Sequence, residues 1–281
     1  MLRIAVPNKG SLSDAAGDML REAGYAVRRD PKELVVMDTV NDVELFYLRP
    51  RDIAIYVGSG TVDAGITGRD LLLDSGSDAV EVMGLDFGQS TFRYAARAGQ
   101  LRTVTDIEGR RVATSYPGLV RAHLTEAGVA AEVVRLDGAV ETAITLGVAD
   151  VIADVVETGA TLRSQGLAVF GEPILTSEAV LIRRAEANLT NGVAVLQRRL
   201  QGVMTAHTYV MMDYDVPAHL VEQACAVTPG LESPTVSPLQ DPTWKAVRAM
   251  VPRASTNRVM DELYEIGARA ILVTGIAACR L

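Results

Sequence analysis

The sequence predicts an α/β protein of two similarly wired lobes facing one cleft, followed by a small α+β unit. Three observations carry this expectation. Hydrophobic residues make up 48% of the 281, aromatics only 5%, and 24 glycines punctuate the chain, a composition suited to tight strand–helix turns. The wiring of the first part recurs: Arg3–Asn8 followed by Lys9-Gly10 is paralleled by Arg111–Tyr116 followed by Pro117-Gly118. From about Gln201 the pattern changes to strand, helix, long loop, strand, helix, strand, close to a split βαβ arrangement.

Taken in order, Arg3–Pro7 reads as a strand, Asn8–Ser11 as a loop, and Leu12–Ala23 as a helix ended by Gly24. A lysine at such a turn suits an anion; it also belongs to the commonest strand–helix connection. Leu34–Asp38 and Val43–Leu48, separated by Asn41-Asp42, predict a hairpin. Arg49-Pro50-Arg51 then opens a helix at Asp52–Val57, with proline suited to its first turn. Two guanidinium groups at that junction match pyrophosphate geometry and equally describe a solvated helix start. Strand Val62–Thr67 ends in Gly68-Arg69-Asp70 at the mouth of a helix over Leu71–Asp74.

The second lobe begins near Ser90. Gly88–Arg97 carries the chain across and Phe170–Ile182 brings it back, so the first lobe is expected to be discontinuous. The expected limits are residues 1–90, completed by about 179–204, for the first lobe, 91–178 for the second, and 205–281 for the C-terminal unit. Two crossing segments make a hinge that allows closure over a ligand.

The most informative stretch is Asp137–Leu162. It reads as an N-cap at Asp137, a helix from about Gly138 to Leu146, a strand over Asp150–Val155, and the polar loop Glu157–Thr161. If Thr161 opens a helix, the loop presents main-chain N–H groups to a phosphate, and Glu141 and Asp154 lie near that anion as a sugar diol or Mg²⁺ requires. The same residues also describe an ordinary helix–strand–helix unit.

Bulk properties exclude some classes. A net charge of −8 argues against nucleic acid as the main partner, since duplex binding rests on a basic surface. No apolar run reaches membrane-spanning length, and MLRIAVPNKG lacks the features of a secretion signal, so a cytoplasmic location without a membrane partner is expected. Cys225 and Cys279 lack metal-site spacing and are expected to be buried and reduced. No GxGxxG follows a strand, which excludes dinucleotide redox chemistry. The wiring alone leaves a solute-binding or sensor protein open beside an enzyme.

Glu141, Gly147, Ala149, Ile152, Asp154, Val155, Thr158, Gly159, Thr161 and Leu162 stand in the spacing E-x5-G-x-A-x2-I-x-D-V-x2-T-G-x-T-L. This resembles the signature of the ATP phosphoribosyltransferases. The resemblance extends over essentially the full chain, through VPNKGSL, FYLRPRDIAIYV, DAGITGRDL, TSYPGLV and TPGLESPTVSPL, and is to the long form of that family. It implies two lobes of periplasmic-binding-protein type plus a ferredoxin-like regulatory domain, and a Mg²⁺-dependent reaction. The reaction joins N1 of ATP to C1 of phosphoribosyl pyrophosphate.

Carried onto these residues, the resemblance puts the ribose 5-phosphate in the loop of Glu157, Thr158, Gly159, Ala160 and Thr161. Asp154 takes the ribose hydroxyls or the metal. Lys9, Arg49 and Arg51 hold pyrophosphate or triphosphate oxygens, Arg51 standing where many relatives have lysine. Gly68, Asp70, Leu71 and Tyr116 line the nucleotide side, and Glu141 either touches ligand or orients the loop. Histidine as inhibitor is implied near Asp215, Leu231, Thr235 and Ala270, and a homo-oligomer, a hexamer built from dimers, is implied as the assembly.

Overall fold

Ile4, Ala5 and Val6 are wholly buried on the first strand, β1 (Leu2–Pro7), because it lies between two parallel neighbours and is covered on both faces. The computed structural model describes residues 1–156, 159–185 and 191–280, and the chain divides into two compact units, 1–197 and 198–281.

In the first unit, β1 leads through helix α1 (Ser11–Glu22), the hairpin β2 (Val35–Asp38) and β3 (Val43–Leu48), and α2 (Pro50–Gly58). Strand β4 (Ala64–Gly68), α3 (Arg69–Ser75) and β5 (Ala79–Gly84) follow. The chain then crosses into β6 (Ser90–Arg97), β7 (Arg111–Thr114), α4 (Pro117–Glu126), β8 (Glu132–Arg135), β9 (Val151–Val156), α5 (Ala160–Ser164) and β10 (Leu167–Ser177). It returns as β11 (Ala179–Arg184) before α6 (Asn191–Thr208).

Two sheets result, in the orders β2-β3-β1-β4-β11-β5 and β10-β6-β9-β7-β8. Each is built on three parallel strands, β3-β1-β4 in one and β8-β7-β9 in the other. Each then accepts an antiparallel strand that arrives by crossing from the other sheet, β11 beside β4 and β6 beside β9. This is the two-lobed arrangement of periplasmic-binding-protein type that the family resemblance implies. The second lobe closes over a core that includes Phe92, Tyr94, Ile107 and Val120, and the first over Ala5, Ile53, Val57 and Val180.

Register fixes what emerges at the carboxyl ends of the parallel strands, where α/β sheets bind ligands. Pro7 lies level with Leu48, so Asn8-Lys9 and Arg49-Pro50-Arg51 leave the first sheet together. Thr114 lies level with both Arg135 and Ala153, so Ser115-Tyr116, Arg135 and Asp154 leave the second together.

The stretch after Asp137 differs from expectation. Only a single 3-10 turn, Val140–Thr142, forms where a helix to Leu146 was expected, followed by turns ending at Gly147. Glycines at 138 and 147, both at positive φ, bracket a segment containing the β-branched residues Val140, Thr142, Ile144 and Thr145, too short and too poor in helix formers to extend a helix. Asp137 is no N-cap; Ala139, at φ 48°, holds that position.

The second unit forms a four-stranded sheet from β12 (Tyr209–Pro217), β13 (Thr235–Pro238), β14 (Trp244–Pro252) and β15 (Arg269–Gly275), with helices α7 (Val221–Val227) and α8 (Thr256–Ile266). The order β13-β14-β12-β15, antiparallel throughout, is the ferredoxin-like pattern. Strand β13 arises inside the stretch read from sequence as a loop. Its TVSP segment lacks a buried face, so alternation could not reveal it. Cys225 and Cys279 are free thiols, each partly exposed rather than buried.

Candidate active site

Two cavities lie at the strand ends of the first unit. One, of about 360 Å³, is lined by Glu141, Asp154, Gly159, Ala160, Thr161 and apolar neighbours. Strand β9 delivers Asp154 to it, and Gly159 then turns the chain into α5 at φ 66°, a left-handed conformation that favours glycine. Glu157 and Thr158 lie outside the described residues. Burial pushes the Asp154 carboxyl above its usual range, and the nearby charges of Glu141 and Asp70 push it further. Its own neighbour Val155, donating an N–H at 2.8 Å, and Arg51 oppose that rise. Two carboxylates thus share a cavity with no cationic side chain among its described lining residues, a condition that suits a cation.

The second cavity, of about 570 Å³, brings together Lys9, Arg49, Arg51 and Leu71 from the first lobe with Ser115, Arg135 and Asp137 from the second. Four cationic side chains thus face one space against two carboxylates, Asp52 and Asp137. Arg135 donates to Asp137 at 3.2 Å. Ser115, Arg135 and Asp137 had no part in the site as read from sequence. One signal could have found Arg135: in each lobe the strand that pairs in parallel with the first of the parallel strands ends at an arginine, Arg49 after β3 and Arg135 closing β8.

Tyr116 follows β7 as the N-cap residue of α4. Its ring meets Phe92 edge-on at 5.0 Å and receives the Arg51 guanidinium over its face at 4.7 Å. Burial pushes its phenol pKa up, and the carboxylates of Asp70 and Asp154 add to the rise while Arg51 opposes it. Asp70 is itself buried, 6% exposed, and Ser177 Oγ donates to its Oδ1 at 3.0 Å while accepting its main-chain N–H at 3.1 Å. Gly68, the N-cap of α3, sits where a Cβ would collide with Asp70 Oδ1 at 2.2 Å. Among the described residues no three His, Cys, Asp or Glu side chains group as a metal cage. His123 is engaged with the Tyr94 hydroxyl at 3.1 Å rather than with the cleft.

In the second unit, Asp215 lies opposite Ala246 and Arg269, and Thr235 opposite Arg248. Alternation along β12 buries Val210, Met212, Tyr214 and Val216, which puts Asp213 and Asp215 on the opposite, open face. Arg248 bonds Asp213 there at 2.6 Å, and the register puts Thr235 on that face as well. Ala270, the second residue of β15, has φ 50°, and Leu231 lies in the loop between α7 and β13, 39% exposed.

Fold and site together define a two-lobed α/β protein that gathers four cationic side chains in one cavity at its strand ends and the carboxylates of Glu141 and Asp154 in another. Comparison with known proteins narrows this. The ATP phosphoribosyltransferase family model matches residues 49–202, and the model of the C-terminal domain of the same family matches residues 206–278. ATP phosphoribosyltransferases of Streptomyces coelicolor and Arthrobacter sp. strain FB24 are 65% and 63% identical to the chain, in each case over the full length of both proteins. The ATP phosphoribosyl transferase (HisG:HisZ) complex of Thermotoga maritima superposes with a TM-score of 0.63 at 25% identity, covering 72% of this chain and 97% of that one. The chain belongs to the ATP phosphoribosyltransferase family.

Proposed function

We propose that the chain transfers the 5-phosphoribosyl group of phosphoribosyl pyrophosphate to N1 of ATP, the first step of histidine biosynthesis, in a Mg²⁺-dependent, histidine-inhibited reaction. The single observation that carries this is the cavity pairing Glu141 and Asp154 with the turn at Gly159–Thr161, inside a chain of this family.

The bond from C1 to the pyrophosphate oxygen breaks with its electron pair leaving on pyrophosphate, and adenine N1 supplies the pair that forms the new bond. No side-chain nucleophile is needed. The chain's task is alignment and charge. The amides and hydroxyl at Gly159–Thr161 receive the ribose 5-phosphate, and Asp154 takes the ribose hydroxyls. Arg49, Arg51 and Lys9, with Arg135 opposite, hold the pyrophosphate and triphosphate oxygens. The Gly68–Leu71 turn and Tyr116 line the adenine side, where the buried, neutral phenol can donate a hydrogen bond without bringing charge.

Mg²⁺ fits Asp154 and Glu141: the two share a cavity with no cationic side chain among its described lining residues, and this ion is held by one or two carboxylates plus substrate oxygens. When bound it neutralises the leaving pyrophosphate. The C-terminal unit takes histidine near Asp215, Leu231, Thr235 and Ala270, the Asp215 carboxylate facing the ammonium group. The active form is a homo-oligomer, and the enzyme works in the cytoplasm; no described helix is long and apolar enough to cross a membrane.

The test is a steady-state assay with ATP, phosphoribosyl pyrophosphate and Mg²⁺. Product absorbance that requires both substrates is expected, and its absence with both present would end the reading.

A further inference from the structure

Helix α4 begins without a cap of its own. Its N-cap residue, Tyr116, makes no capping hydrogen bond, and Pro117 has no N–H to satisfy. The next two amides point instead at a carboxylate from the other lobe: Gly118 and Leu119 donate to Asp74 Oδ1 at 2.8 and 3.2 Å. The other oxygen, Oδ2, accepts from Arg51 at 2.7 Å, and the Asp74 side chain is only 8% exposed. Arg51 remains 39% exposed and lines the cationic cavity, its guanidinium fixed between Asp74 and the Tyr116 ring.

Close approach explains the glycine. A Cβ at position 118 would lie 2.3 Å from the main-chain oxygen of Asp74, so only glycine admits α3 at this point, although glycine weakens a helix.

We infer that Asp74 is a positioning residue for phosphoribosyl transfer, an interlobe latch whose one carboxylate both caps α4 and aims Arg51 at the phosphates. Lobe closure and orientation of Arg51 are then one event: withdrawing α4 removes two of the three donors that hold Asp74, and with them the fixed partner of the guanidinium. The inference rests on the proposed function in assigning Arg51 to phosphate oxygens; the cap itself does not.

The experiment uses the full chain and separates the two readings. Wild-type protein that turns over no ATP with phosphoribosyl pyrophosphate and Mg²⁺ would sink the proposed function, leaving the latch to be judged by amide exchange. Gly118 and Leu119 should exchange about tenfold faster in Asp74→Ala than in wild type, and equal rates would overturn the latch. In the active enzyme, Asp74→Asn, which keeps shape and an acceptor oxygen but loses the charge, should lower kcat/KM about tenfold with Tm nearly unchanged. The same substitution in an Arg51→Met background should cost less than about twofold more, because its effect runs through Arg51. Additive losses in the double variant would overturn the coupling. Gly118→Ala should lose activity and lower Tm, because the added Cβ meets main-chain oxygen rather than a movable side chain; full activity there would contradict the close approach.

Discussion

Asp154 is a buried carboxyl that the fold holds at a cost. Burial raises its pKa above the unfolded value, so between those two values the folded state holds the extra proton, and stability falls as pH rises through that window. Asp154→Asn is therefore expected to raise Tm at pH 7 in the absence of ligand, with the gain shrinking as pH is lowered through the carboxyl range, while transferase activity is lost. Thermal scans at several pH values check this. An unchanged or lower Tm at pH 7 would contradict the electrostatic account. Thr161 acts more simply: it lines the same cavity, and removing its hydroxyl in Thr161→Ala should raise KM for phosphoribosyl pyrophosphate about tenfold, near the 1.5 kcal/mol of one hydrogen bond. Steady-state kinetics with that substrate varied decides it. Of the residues that line the two cavities, those named from the sequence, such as Lys9, Arg49 and Asp154, sit in local patterns. Ser115 and Arg135, and Asp74 beside Arg51, come to the same places only through register and contact across the lobes, which no local spacing encodes.

At the scale of elements, legibility follows the strength of the period. Helix α8 was expected over Thr256–Ile266 and forms there, because apolar residues at helical spacing bury Val259 and Leu263. The Gly138–Leu146 helix failed because flanking glycines and β-branched residues outweighed its few apolar positions. The strand boundary at His207 moved to Tyr209 because α6 runs on to Thr208. The crossing segments were anticipated, but not what pins them. Glu178, between β10 and β11, accepts from Arg69 at 2.9 Å and from the N–H of Asp86, on the outgoing crossing, at 2.9 Å. Arg69 also holds Glu81 at 2.8 Å. Glu178→Gln should lower stability by about 1 kcal/mol, because the partners are partly exposed and solvent screens them. That corresponds to a Tm lower by roughly 2–4 °C in a protein of this size, read by calorimetry, and an unchanged Tm would show that the cluster contributes nothing.

For the whole molecule, the repeated strand order of the two sheets accounts for why one cleft receives loops of the same kind from both sides. The recurrence was visible as faint sequence parallels, and so were the crossing segments, while the antiparallel pairing of β11 with β4 and of β6 with β9 was not, since pairing partners distant in sequence leave no local trace. The C-terminal unit has its own sheet and its own core, including Met212, Tyr214 and Leu263, so its exposed face can be altered without disturbing the core of the first unit. Asp215→Ala is expected to keep transferase activity within about twofold while weakening inhibition by histidine tenfold or more, the loss of a charge-assisted hydrogen bond. Inhibition curves for the variant matching wild type would remove Asp215 from the effector site.

The exchange of strands also sets an order of assembly on the ribosome. Strand β11 lies between β4 and β5, so β5 has no partner in its sheet until residue 184 has been made, about a hundred residues after β5 itself. Throughout that interval the emerging chain carries unpaired strand edges, the surfaces on which nascent proteins meet chaperones or one another. The edge of β5 thus stays open until the stretch through residue 184 has emerged.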